Sequence, residues 1–67
     1  MIEKILADDF MDYREVYRIA KGYGMKKSDV KKEKAIYGVK TVQVQSKNGE
    51  DIWLWYIPER IWEKYHA

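Results

Sequence analysis

The chain changes its period at Gly38. Val39-Lys40-Thr41-Val42-Gln43-Val44-Gln45 alternates apolar and polar residues, with Val42 and Val44 on one side and Thr41, Gln43 and Gln45 on the other. Ser46-Lys47-Asn48-Gly49-Glu50 then holds an Asn-Gly pair, a strong hairpin signal, and Ile52-Trp53-Leu54-Trp55-Tyr56-Ile57 reads as the return strand. Pro58 ends it, because proline has no N–H to give to a ladder. A lone two-stranded hairpin is marginal in water. A return strand that is apolar on both faces must therefore be covered, and the residues before Gly38 are the material for the cover. A terminal stripe of Ile61, Trp62 and Tyr65 is expected to cover the second face, with a short helix starting at Pro58-Glu59-Arg60.

Those earlier residues read as three small helices. Ile2, Ile5 and Leu6 form a one- or two-turn stripe expected to stop near Ala7, since Asp8-Asp9 opposes the negative end of a helix. Asp12 with Glu15 has capping-box spacing, and Phe10 or Met11 is placed to staple against Val16. Val16, Ile19, Ala20 and Tyr23 then make one apolar face, ended by Gly22 and Gly24. A third helix begins at Lys26 or Ser28 and runs to Tyr37, closed by Gly38, with Met25 in a buried turn. Val30 and Tyr37 share a face with Glu33 and Lys34 between them, while Ala35 and Ile36 broaden the apolar side. The fold class is thus α+β: three helices, a two-stranded β-hairpin and a short C-terminal helix in one domain over residues 1–67.

Charge is segregated along the chain. Between positions 21 and 40, Lys21, Lys26, Lys27, Lys31, Lys32, Lys34 and Lys40 face only Asp29 and Glu33, a local excess of five positive charges in a chain whose net charge is +2. Lys27, Lys31 and Lys34 fall at i, i+4 and i+7, on one side of the third helix. A block of this kind is either a solvated face or the footprint of a polyanion.

The run from Gly24 through Val39, Gly-Met-Lys-Lys-Ser-Asp-Val-Lys-Lys-Glu-Lys-Ala-Ile-Tyr-Gly-Val, resembles the helix-turn-helix core of winged-helix domains. Those domains lie at the C-terminal end of primase- and helicase-like replication proteins of phages and integrated elements. Trp53-Leu54-Trp55-Tyr56-Ile57-Pro58 is similar to their aromatic final strand, and Tyr13 to Gly24 to their second helix. The resemblance covers roughly residues 12 to 58. The chain departs from it at Glu33, where the family has a small apolar residue, and at Lys26, where it has Ser or Thr. It implies a winged helix-turn-helix whose third helix enters the major groove of double-stranded DNA. Lys26, Lys27, Ser28, Lys31, Lys32 and Lys34 are then the contact residues on the helix, and Thr41, Gln43, Lys47 and Asn48 those on the wing. The alternative is a winged-helix protein-interaction module that self-associates through its aromatic strand without binding DNA.

Other classes of function are poorly served. The 67 residues leave little room to enclose a catalytic pocket, and no phosphate-cradling glycine loop is present. There is no cysteine, His66 is the one histidine, and Asp8, Asp9 and Asp12 read as helix-end charges without metal-ligand spacing. No enzyme activity, cofactor, metal or small-molecule substrate is expected. No apolar run reaches the ~20 residues of a membrane span, and Met1-Ile2-Glu3-Lys4-Ile5-Leu6 is too short and too acidic for a signal peptide. The expected setting is a reducing cytoplasm.

Overall fold

The computed structural model describes residues 1–66. The chain runs through α1 (Ile2–Leu6), β1 (Met11–Asp12), α2 (Tyr13–Gly22), α3 (Lys27–Tyr37), β2 (Lys40–Gln45), β3 (Asp51–Tyr56) and α4 (Pro58–His66). Among the described residues the result is a small α+β fold of four helices and a three-stranded antiparallel sheet ordered β1-β3-β2.

The sheet has one strand more than the hairpin expected from the sequence. β1 is two residues long and pairs Met11 with Trp55 and Asp12 with Leu54. This places the aromatic strand β3 in the centre, where both of its edges are hydrogen-bonded. β2 pairs with the other edge in a register running from Lys40 opposite Tyr56 to Gln45 opposite Asp51. The connecting turn is closed by the Gly49 N–H donating to the Ser46 carbonyl (3.0 Å) and the Ser46 N–H donating to the Glu50 carbonyl (2.8 Å). Gly49 takes φ 79°, a left-handed conformation that costs glycine little.

Local signals account for the helix ends, with one correction. Asp12 caps α2, but its Oδ1 accepts the Arg14 N–H (2.9 Å) rather than that of Glu15, and it also holds the Arg14 guanidinium. Glu15 is drawn instead to Arg18 one turn on, so the capping box is not formed. The staple differs as well. Phe10 packs on Tyr56 (ring centroids 4.8 Å apart), and Met11 is taken up in the sheet. α3 ends as expected, with Gly38 left-handed at φ 63° and the Val39 N–H donating to the Lys34 carbonyl (3.0 Å).

The core is small. Ile2 and Leu6 of α1, Val16 and Ala20 of α2, Val30 of α3, Trp55 of β3 and Ile57 just beyond it are buried, with Met11, Tyr13, Tyr17, Met25 and Val39 half-buried around them. Trp55, 5 % exposed, is the largest of the buried side chains. Tyr13 and Tyr17 pack against its ring at 6.2 and 5.3 Å between centroids.

Several expectations about apolar faces are overturned. Tyr23, expected on the apolar face of α2, is exposed, and so is Tyr37, expected to share the face of Val30. Ile36 does not broaden the core side of α3; it is 72 % exposed, and Ala35 is exposed as well. α4 does not cover the second face of the sheet. It buries none of its residues, Trp62 and Tyr65 stand 63 % and 70 % exposed, and Ile52, Leu54 and Tyr56 are left half-buried. α4 is held by polar contacts: Lys64 pairs with Asp9 (2.8 Å) and Asp8 (3.8 Å), and Arg60 donates to the Glu3 carbonyl (3.3 Å). His66 stacks on Trp62 at 3.6 Å. The radius of gyration of 12.3 Å accordingly exceeds the ~11 Å of a fully compact chain of this length.

Among the described residues no helix is long and apolar enough to cross a membrane.

Candidate nucleic-acid interface

α3 and the hairpin meet at Trp55. Pairing partners in an antiparallel sheet share a face, so Trp55, Thr41 and Met11 face one way, with Trp53 and Gln43 two residues along on the same side. Tyr13 and Tyr17 of α2 pack on this face at Trp55, and α3 reaches it through Lys34. The Lys34 ammonium sits 3.9 Å from the centre of the Trp55 ring, a cation–π contact that links α3 to the central strand. Lys34 is therefore half-buried and turned inward, a correction to its place among the outward lysines. The i, i+4, i+7 stripe splits accordingly: its last member packs on the sheet, and its first two remain in solvent.

Lys26, Lys27, Ser28, Lys31 and Lys32 are exposed, as are Thr41, Gln43, Lys47 and Asn48 on the hairpin. Among the described residues none of these lysines forms an ion pair. The two acids of α3 are engaged in holding the helix. Asp29 accepts the Lys26 N–H (3.0 Å) and so caps the helix from within, where a Ser or Thr cap is lacking. Glu33 faces α1 and accepts from the Met1 ammonium and the Ile2 N–H, both at 2.8 Å. A carboxylate in place of a small apolar residue at this position thus binds the first helix to the third. Trp53, 43 % exposed beside Gln43, adds an aromatic surface to the same face. A groove of 290 Å³ also opens between α2 and α3 beside Lys27, lined by Tyr17, Ala20, Lys21, Met25 and Val30. The charge of Lys21 is legible in the sequence; its nearness to Lys27 depends on the tight turn after Gly24 and is not.

The Glu33 contact makes stability depend on acid. The Met1 ammonium, followed by the Ile2 N–H, holds the Glu33 carboxyl below the ordinary glutamate range. A carboxylate whose folded value is depressed contributes stability above its unfolded value, near 4.3 to 4.5, and loses it as pH falls through the lower folded value. Glu33→Gln is expected to lower the midpoint of thermal unfolding at neutral pH and to shallow its fall below about pH 4.5. Melts at pH 7 and pH 3 followed by far-UV circular dichroism measure this. An unchanged difference between the two pH values would show that Glu33 is not the group responsible.

Among the described residues no three His, Cys, Asp or Glu side chains are grouped to hold a metal ion. Comparison with known protein families, with curated proteins and with solved structures finds no match.

Proposed function

We propose that this domain is a winged helix-turn-helix that binds double-stranded DNA, with α3 in the major groove and the β2–β3 hairpin as the wing. The observation that carries the reading is the set Lys26, Lys27, Lys31 and Lys32 around Ser28 on α3, exposed and unpaired among the described residues, while both acids of that helix are occupied by backbone and terminal donors. The order of elements supports it: two helices joined by a tight turn precede a hairpin whose return strand also pairs with a short strand ahead of α2. Lys47 and Asn48 are exposed at the hairpin tip, and in this reading they meet a neighbouring phosphate or minor groove. The residue resemblance extends the reading to a replication or regulatory protein of a phage or mobile element, acting in the cytoplasm as a binding module without catalysis.

Titration of isotope-labelled protein with duplex DNA at low and moderate salt tests the reading. Amide shifts should concentrate on α3, Thr41, Gln43 and the 46–50 turn, and weaken as salt rises. Absence of shifts at low salt, or shifts confined to α1 and α4, would refute it.

A second reading is favoured by one observation, the uncovered aromatics Trp62 and Tyr65 of α4. In it the domain pairs with a second copy through that helix and the half-buried sheet face, as surface apolar patches often do. Sedimentation over a concentration series without DNA separates the two: a dimer indifferent to DNA supports the second, and a monomer that binds DNA supports the first.

A further inference from the structure

We infer that the duplex recognised by α3 and the hairpin is read through its backbone, without selection of base sequence; the inference rests on the DNA-binding reading above. Sequence selection in the major groove comes chiefly from side chains that present two hydrogen-bonding groups in fixed geometry, arginine on guanine and asparagine or glutamine on adenine. None of the chain's three arginines lies on α3 or the hairpin: Arg14 and Arg18 belong to α2, where they pair at the surface with Asp12 and Glu15, and Arg60 belongs to α4, where it donates to the Glu3 carbonyl. α3 contains no Asn or Gln.

The exposed positions along α3 are instead Lys27, Ser28, Asp29, Lys31, Lys32, Ala35, Ile36 and Tyr37; the Asp29 carboxylate already accepts the Lys26 N–H, and Ile36 offers only apolar contact. Serine accepts and donates without preference, and alanine offers only a methyl contact to thymine. A lysine ammonium can bridge guanine acceptors, but its point charge on a flexible stem is equally satisfied by phosphate. Lys34, the lysine nearest the middle of the helix–hairpin junction, is withdrawn onto the Trp55 ring. The chain's amides lie in the hairpin, where Gln43 flanks Trp53 and Asn48 sits in the turn. A hairpin amide that reaches the minor groove meets a code that separates little beyond A·T from G·C. Five exposed lysines (Lys26, Lys27, Lys31, Lys32 and Lys47) remain to carry affinity through counterion release.

Fluorescence anisotropy of the full chain with labelled duplexes of about two helical turns tests this. One duplex is A·T only, one G·C only and two are mixed and unrelated, and a random duplex pool is taken through rounds of selection. The expected result is a set of dissociation constants within about tenfold of one another, against the 10³-fold or greater preference typical of a sequence-specific protein. Each should weaken with salt on a logarithmic slope of about −4 to −5, and no consensus should emerge from the pool. A sequence bound more than about tenfold tighter than the rest, or a slope near zero, overturns the inference while DNA binding stands. No anisotropy change with any duplex at low salt overturns the DNA-binding reading itself and the inference with it.

Discussion

Trp55→Ala is expected to remove a large share of the chain's stability at 25 °C. Truncating a buried tryptophan costs about 3–5 kcal/mol, because the cavity collapses only in part. Domains hold roughly 0.05–0.15 kcal/mol per residue, which for 67 residues is about 3–10 kcal/mol in all. The loss is therefore of the same order as the whole stability. Trp55 is also the point where separate elements converge: Tyr13 and Tyr17 from α2, Met11 from β1 and Lys34 from α3 all meet its ring or its backbone. Removing the ring thus loosens the attachment of α3 to the sheet as well as emptying the core. Urea unfolding by far-UV circular dichroism measures the effect, with Trp62→Ala as control. Trp62 is 63 % exposed on a helix that buries nothing, so its loss should change stability by no more than about 0.5 kcal/mol. Equal midpoints for Trp55→Ala and the unmodified chain would show that the core is centred elsewhere.

The combined variant Lys27→Ala, Lys31→Ala, Lys32→Ala should lose DNA binding almost completely while remaining folded. Each phosphate contact adds about 0.9 to the salt slope, so three lost contacts flatten it by ~2.7, which near 0.1 M salt corresponds to a loss of roughly several hundredfold in affinity. Alanine preserves the helix, because its intrinsic propensity exceeds that of lysine. Lys34→Ala supplies the contrast. Its ammonium lies over Trp55, so its removal should leave the salt slope unchanged and lower stability by about 0.5–1 kcal/mol. Anisotropy at several salt concentrations beside urea melts separates the two outcomes. A slope reduced equally by Lys34→Ala and Lys31→Ala would mean that Lys34 leaves the ring to meet phosphate.

Two of these effects depend on distinctions that the one-dimensional pattern does not contain. Lys31 and Lys34 belong to the same i, i+4, i+7 stripe, yet one is solvated and the other packs on an aromatic ring from a strand 21 positions further along. Glu33 looks like a charge misplaced on a core face. It becomes a tie to α1 only because the chain start lies beside α3.

Elements whose cause lies within a few residues are legible in the sequence alone. The span of α3 follows from its helix formers and the left-handed Gly38, α2 from Asp12 and its apolar face, and the hairpin from alternation on either side of Asn48-Gly49. The positive block of the middle segment is legible for the same reason, since charge is a property of composition. Tertiary structure alone decided the pairing of Met11 with Trp55, because a two-residue strand has no period and its hydrogen bonds join positions 44 apart. It alone decided that Ile36 faces solvent and that α4 leaves the sheet uncovered, since amphipathicity says which residues need a cover and not whether a neighbour is near enough to supply one. Local backbone preferences act over one turn of chain, whereas burial is settled by whatever distant segment reaches the surface first and packs best.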